Sequence, residues 1–161
     1  MLRVNADTTV INPTSLFVQG SLLTLTQEQG DQIFDECGSR QLSIRIQFPQ
    51  DYRYIRAFKP YGLLYIPHGS WVTRDNLISM LLICTEVVVY ETYTTYMDVN
   101  QILRRWLGGE MSGLRSMIID GVTYRERCFE GLDEKKINPK WRMEHTMWVF
   151  LDIQEHNPNE E

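Results

Sequence analysis

Five short apolar runs recur along the chain, and their spacing limits the possible folds more than any other feature. They begin at Leu22, Leu42, Leu63, Glu86 and Leu114, roughly 20 to 28 residues apart. Most are rich in β-branched or large aliphatic residues and lie near Gly, Pro, Asp or Ser, which is typical of strands buried on both faces. The spacing matches that of repeats built from one strand and one helix.

Helical patterns occupy the intervals between these runs, and the clearest covers residues 99–107. Asp98 is positioned to be its N-cap, and Gly108 and Gly109 supply the left-handed residue with which many helices end. Five apolar residues follow the spacing that places them on one helix face. They are Val99, Ile102, Leu103, Trp106 and Leu107. The pattern therefore predicts a helix whose Trp106 indole is buried.

Two further helices are predicted. One follows Thr26 as its N-cap, although Gly30 within it costs about 1 kcal/mol relative to Ala. The other covers residues 72–83, which have a broad apolar face. Strands and helices that alternate at this spacing predict right-handed crossovers and a mainly parallel sheet. We therefore expect an α/β fold of strand–helix repeats, with a mainly parallel, leucine-rich-repeat-like sheet.

The C-terminal part of the chain has a different pattern. From Gly121 the sequence is charged and irregular, and Pro139 opposes a continuous helix. Residues 146–153 are predicted to form a closing strand, and residues 154–161 a disordered acidic tail. Because no interdomain linker is evident, residues 1–153 are predicted to form a single domain.

Net charge and cysteine content indicate which partners and which cellular compartment to expect. The 161 residues carry a formal net charge of −5, whereas nucleic-acid-binding domains usually present a basic face, so nucleic acid is not expected as a partner. Three widely spaced cysteines fit a reduced intracellular protein better than a disulfide framework. Neither a signal-peptide pattern nor an apolar stretch of membrane-spanning length is evident. We expect a cytoplasmic or nuclear protein that does not enter membranes.

No spacing of residues predicts catalysis. His68, His145 and His156 lie in unrelated contexts, without the spacing from Cys, Asp or Glu that a metal site requires. Neither a nucleophile elbow nor a glycine-rich phosphate loop is present, and Gly108 and Gly109 follow a helix, whereas phosphate-binding glycines precede one. We expect a protein that is not an enzyme and that has no cofactor or metal.

Two stretches are rich in tyrosine and arginine, which are enriched at the energetic centres of protein interfaces. In residues 47–62 the aromatic rings could equally pack a long loop onto the core, and both interpretations stay open. In residues 90–98 tyrosines recur every three residues after a predicted strand, which favours exposure in a strand-end loop. The candidate partner-binding residues are Tyr52, Arg53, Arg56, Tyr90, Tyr93 and Tyr96.

An RNA-binding module is the alternative function. Aromatic rings interleaved with arginines around Tyr54 could stack on single-stranded bases. That mode also needs a positively charged groove, and the basic charge near Arg53 and Arg56 is slight. The protein-binding hypothesis is therefore favoured.

Residues 85–121 combine a strand, a short helix and a second strand in a recognisable pattern. The helix carries Asn100, Leu103, Trp106 and Gly109, and the run after it carries Leu114, Met117 and Ile119. This pattern resembles the F-box-associated domain of the second type, which is expanded in nematodes. Ile102 stands where that family usually has an aromatic residue. Residues 129–136 and 146–153 are similar to its later turn and closing strand.

The resemblance implies a non-catalytic module that binds a target protein. In that family the domain follows an F-box, which docks on the Skp adaptor of SCF-type ubiquitin ligases, and the associated domain is thought to hold the substrate. The first forty residues show no F-box pattern, so the adaptor is expected as a partner only if an F-box is present elsewhere. A fragment of a longer protein, a truncated paralogue that binds targets and a relative with another role all stay open.

Overall fold

Five short strands form one parallel sheet in the computed structural model, which describes residues 15–19 and 25–133. They are β1 (Ser15–Gln19), β2 (Gln41–Arg45), β3 (Leu63–Ile66), β4 (Glu86–Val89) and β5 (Ser116–Ile119). Every neighbouring pair is parallel, and the strands lie side by side in chain order. The predicted α/β class with a parallel sheet is confirmed.

Four of the five predicted runs contain strands, and most of the first lies outside the described residues. β2 to β5 lie at the runs that begin at Leu42, Leu63, Glu86 and Leu114. Within the run from Leu22, only Leu25 is described, and it is a buried residue directly before a helix N-cap. The first described strand is Ser15–Gln19, which was not predicted; it lies at the edge of the described sheet, and its alternating burial gives a weaker apolar signal than a continuous run.

Three helices each begin at a threonine capping box, which gives every start a local sequence signal. They are α1 (Gln27–Glu36), α2 (Arg74–Ile83) and α3 (Tyr96–Leu107), and their N-caps are Thr26, Thr73 and Thr95. In each box the threonine hydroxyl accepts a hydrogen bond from a backbone N–H three residues on. A short 3-10 helix, Arg125–Phe129, packs against α3.

Helix α3 begins three residues earlier than predicted. Asp98 is not its N-cap but lies inside the helix, and its carboxylate accepts a hydrogen bond from the Thr95 N–H at 3.0 Å. The apolar periodicity starts at Val99 because the preceding helical residues face partly outward, so the pattern gave no sign of the first turn. The helix ends as predicted, since Gly109 has the left-handed φ of +85°.

The core lies on one face of the sheet. Because strand order follows chain order, right-handed crossovers place α1, α2 and α3 over the same face. The strand residues on that face are fully buried or nearly so, and they are Leu42, Ile44, Leu64, Ile66, Val87, Val89, Met117 and Ile119. The helices add Phe34, Leu77, Leu81, Ile102 and Leu103 to the same core cluster.

Aromatic side chains replace a helix in the connection from β2 to β3. Phe48, Tyr52, Tyr54, Phe58 and Tyr61 are all buried there. The rings of Phe48, Tyr54 and Phe58 contact that of Phe34 of α1, whose centroid lies 4.7 Å from that of Tyr54 and 5.2 Å from that of Phe58. Of the two interpretations that the sequence left open, this segment therefore packs onto the core.

Gly30 in α1 has a packing role that offsets its low helix propensity. A Cβ at this position would lie 2.5 Å from a ring carbon of Tyr52 and 2.9 Å from one of Phe48. These rings can therefore approach the helix only because residue 30 has no side chain.

Trp106→Ala should lower the free energy of unfolding by only about 1 to 2 kcal/mol. The predicted burial of the indole would imply a loss of about 3 to 5 kcal/mol, but Trp106 is half-buried at the margin of the core. Leu103→Ala, in the same helix but fully buried, should cost at least about 2 kcal/mol. Denaturant titration of both variants checks this order, and a larger loss for Trp106→Ala would contradict it.

Several predictions fall outside the described residues. They are the closing strand at 146–153, the acidic tail at 154–161 and the parts of the predicted 1–153 domain before residue 15 and after residue 133. Among the residues that are described, no helix is both long and apolar enough to cross a membrane.

Candidate functional site

The sheet face opposite the core carries a row of mainly apolar side chains. Strand register aligns Phe17, Ser43, Tyr65, Val88 and Ile118 across all five strands. Phe17 is 46% exposed, Tyr65 and Val88 are partly exposed, and Ser43 and Ile118 are buried between their neighbours. Arg45 and Tyr90 continue the same alternation beyond the row. We call these seven residues the open face.

Tyr65 is the centre of the open face. The Arg45 guanidinium lies 5.7 Å from its ring centroid, in a cation–π arrangement, and the Tyr90 ring meets it edge-on at 6.0 Å. Burial raises the pKa of the Tyr90 hydroxyl, and the nearby Tyr65 and Asp120 add to this effect. The ring contacts hold Arg45 and Tyr90 in fixed positions, which lowers the entropy that a partner would have to remove.

Opposite charges flank the apolar row. Arg45 is exposed near the C-terminal end of β2, and Glu86 is exposed at the N-terminal end of β4. Strand register aligns Glu86 with Gln41 and Ser15 on the same side of the apolar row. The side chains of Ser15 and Gln41 form a 2.9 Å hydrogen bond. The apolar row therefore has polar margins: Arg45 and Asp120, which acts on Tyr90, lie along one side, and Glu86 lies along the other.

A second exposed surface lies next to the strand ends. Its residues, which we call the tyrosine rim, are Tyr93, Tyr96, Met97, Tyr124 and Arg127. Tyr93 is 80% exposed, and Met97 and Tyr124 are also exposed. The Arg127 guanidinium lies 4.3 Å from the Tyr96 ring centroid, and the rings of Tyr96 and Tyr124 meet edge-on at 6.3 Å. Side chains of the rim line a cleft of about 460 Å³ between α3 and the 3-10 helix.

Unusual backbone conformations shape the tyrosine rim. Tyr124 has a left-handed φ of 54°, and Glu91, which separates Tyr90 from Tyr93, has a φ of 56°. Bulky residues rarely adopt this conformation, which costs of order 1 kcal/mol or more. Nearby, Gly121 lies against the Thr92 backbone, and Thr95 and Thr123 form an isolated parallel bridge. These contacts between neighbouring loops fix the positions of the exposed rings.

The predicted partner-binding residues separate into three groups. Tyr90 belongs to the open face, while Tyr93 and Tyr96 belong to the tyrosine rim. Arg53 and Arg56 are exposed in the loop before β3. Arg56 forms ion pairs with Asp31 and Asp35 of α1, and the Arg53 guanidinium donates to the carbonyl oxygens of Gln50 and Tyr52. The structure therefore does not bring the six residues together as one surface.

Tyr52 is the predicted contact that the structure contradicts. Its ring is 2% exposed, and its hydroxyl donates to the Asp31 carboxylate at 3.2 Å. The residue type alone could not reveal this, because a carboxylate of α1 satisfies the hydroxyl inside the core. Tyr54 is equally buried, and its hydroxyl donates to Asp35. The rings that would stack on RNA bases are therefore inaccessible.

Sequence reasoning missed several residues of both surfaces: the exposed Phe17, Arg45, Met97 and Tyr124, and the partly exposed Tyr65. A signal existed for Arg45, because Ser43 and Arg45 alternate with Leu42 and Ile44 in the apolar run of β2. Tyr65 lay inside a run that was interpreted as buried on both faces. Tyr124 had no local signal, since its exposure depends on a left-handed backbone that sequence patterns do not predict for tyrosine.

The described residues contain no cluster suited to bind a metal ion. Among residues 15–19 and 25–133, no group of three or more His, Cys, Asp or Glu side chains could hold one. Cys37, Cys84 and Cys128 are free and buried, and burial raises the pKa of the Cys84 thiol. The raised pKa keeps the Cys84 thiol protonated and therefore less nucleophilic.

We expect the protein to lose stability as the pH rises above about 10, the ordinary tyrosine pKa. Burial raises the pKa values of Tyr52, Tyr54 and Tyr61, so the folded state favours the neutral hydroxyls. Their contribution is complete below about pH 10 and is lost at higher pH, where the unfolded chain ionises first. Urea titrations at pH 8, 9, 10 and 10.5 measure this slope. Tyr52→Phe should reduce it and the exposed Tyr93→Phe should not; equal slopes would contradict the prediction.

Comparison with known proteins finds no matching family model, no matching curated protein and no matching solved structure. The resemblance of residues 85–121 to the F-box-associated domain therefore stays a prediction.

Proposed function

We propose that the protein is a non-catalytic interaction module that holds a target protein on its open face. The observation that carries this proposal is the partly exposed apolar row centred on Tyr65, with Arg45 and Tyr90 against its ring. Tyrosine and arginine are the residue types that dominate interface energetics, and they do so at apolar centres surrounded by polar margins. The open face has this composition.

The order of the strands supports a repeat architecture of the leucine-rich-repeat kind. Parallel strands in chain order, with α1, α2 and α3 over one face, leave the other face of the sheet continuous. Repeat proteins bind partners on extended surfaces of this type. The proposed repeat unit is a strand followed by a threonine-capped helix, and the β2–β3 connection replaces that helix with packed aromatic rings.

We also propose a relationship to the substrate receptors of SCF-type ubiquitin ligases. In support, the residues that carry the family resemblance have structural roles: Leu103, Leu114 and Met117 are fully buried. The Asn100 amide donates to the carbonyl oxygens of Cys128 and Glu130, which ties α3 to the 3-10 helix. On this proposal the protein acts in the cytoplasm or nucleus, and it contacts the Skp adaptor only if an F-box lies elsewhere.

Affinity capture with surface variants tests the proposed function. Wild-type protein should retain a dominant target, and Phe17→Asp and Tyr65→Ala should each weaken its binding at least about tenfold, which corresponds to about 1.4 kcal/mol. Ile55→Asp is the control, because Ile55 is 90% exposed in the distant β2–β3 connection. Circular dichroism would verify that each variant is folded.

Retention of the target by the open-face variants would overturn the proposal. If Tyr93→Ala and Tyr124→Ala removed the target instead, the tyrosine rim would be the binding surface. Recovery of ubiquitin-ligase components in the wild-type capture would support the receptor relationship, and a single target without them would favour a binder that does not deliver its target for ubiquitination.

A further inference from the structure

We infer that the open face binds an amphipathic α-helix of the partner, lying across the strands. This inference rests on the proposed function and specifies its partner. Three properties of the open face lead to it: the absence of backbone hydrogen-bonding groups that a ligand could use, the length of the apolar row, and the positions of two opposite charges.

The sheet face selects against an extended ligand. The backbone groups of β2, β3 and β4 are engaged by parallel strands on both sides. An extended segment lying on this face would bury its own N–H and C=O groups without partners, at a substantial cost in free energy. A helix satisfies its backbone internally, as α1 to α3 do on the opposite face. Extended peptides bind to the edges of sheets instead.

The length of the apolar row fits a short helix. The row from Phe17 to Ile118 crosses five strands, or about 19 Å at the usual strand spacing. A helix of about 13 residues has this length, with apolar residues at every third or fourth position over the row.

The two flanking charges specify the polar residues of the helix. Arg45 and Glu86 lie on opposite sides of the row and two strands apart, which is about 10 Å along the helix. The partner helix therefore carries an acidic residue facing Arg45 and a basic residue facing Glu86, separated by about two turns. Both charges are exposed, so they contribute mainly to the choice of partner and to the orientation of the helix.

Two displayed peptide libraries of equal composition provide the test, with the whole chain as bait. One library of 16-residue peptides has apolar residues at helical spacing, and the other has them at alternate positions. We expect binders only from the helical library. A central proline in the peptide, or Phe17→Asp in the protein, should weaken binding at least about tenfold, whereas Ile55→Asp should not.

Selection of face-dependent binders from the alternating library, or of none from the helical library, would overturn the inference. Binders that tolerate the central proline would do the same.

A charge exchange tests the orientation of the helix. The double variant Arg45→Glu with Glu86→Arg should prefer peptides whose acidic and basic residues are interchanged, by about fivefold or more. Both side chains are exposed, so the exchange should leave the fold intact. An unchanged preference would contradict the assigned charge contacts.

The outcomes separate the two proposals. If target capture depends on the open face and the helical library yields no binder, the protein remains an interaction module and the helical ligand is wrong. If capture does not depend on the open face, the proposed function itself fails.

Discussion

Phe34→Ala should lower the free energy of unfolding by about 3 to 5 kcal/mol, close to the entire stability of many small domains. Phe34 is completely buried and joins α1 to the aromatic side chains of the β2–β3 connection. Its ring contacts Tyr54, Phe58 and Trp71, with centroids 4.7 to 5.5 Å apart. Removal of the ring would leave a cavity between rigid rings, which collapses poorly.

Urea titration monitored by circular dichroism measures the loss for Phe34→Ala. Phe17→Ala is the matched control, because it removes the same group from an exposed position on an edge strand, and its cost should be at most about 1 kcal/mol. Equal losses for the two variants would mean that Phe34 does not organise the aromatic cluster.

Gly121→Ala should cost about 3 kcal/mol and should also disturb the tyrosine rim. Gly121 has a φ of +91°, which strains any residue with a side chain. In addition, the new Cβ would overlap the Thr92 carbonyl oxygen and would lie 3.1 Å from the Thr92 nitrogen. Because these are backbone atoms, the clash can be relieved only by moving the loop that leads to Tyr93.

Alanine variants at two other glycines distinguish the cost of backbone strain from the cost of steric overlap. Gly109→Ala also requires a positive φ, but no atom lies within 4 Å of its added Cβ, so its cost should be about 1 kcal/mol. Gly113→Ala has neither problem and should be nearly neutral. Thermal unfolding of the three variants should rank them in this order. A Gly121→Ala loss no larger than that of Gly109→Ala would exclude a contribution from the Thr92 contact.

Local sequence signals were sufficient for much of the fold. The runs at β2 to β5 predicted strands because buried parallel strands need nearly continuous apolar residues. Thr26 predicted the start of α1, since the capping box is encoded within four residues. The edge strand β1 was missed because its burial alternates, and the start of α3 was misplaced because its first residues are only partly buried.

Long-range contacts limited the prediction of the site. Tyr52 and Tyr90 have the same residue type and each has an acidic neighbour in sequence, Asp51 and Glu91, yet one is buried against Asp31 and the other lies on the open face. Their partners are distant in sequence, so local composition could not distinguish them. The three-residue spacing of Tyr90, Tyr93 and Tyr96 suggested one surface, but the left-handed Glu91 redirects the chain between the first two.

The chain order of the strands determines how local unfolding at one edge of the sheet affects the other strands. Among the described residues, each strand hydrogen-bonds only to the strands that precede and follow it in sequence, so the sheet is cooperative mainly between sequence neighbours. In this sheet, loss of the β5 pairing affects β2 through the pairings of β4 and β3. The described part of the protein can therefore lose order from either margin of the sheet while its middle strands keep their pairing, and the Tyr65 centre on β3 is the place best protected from such fraying.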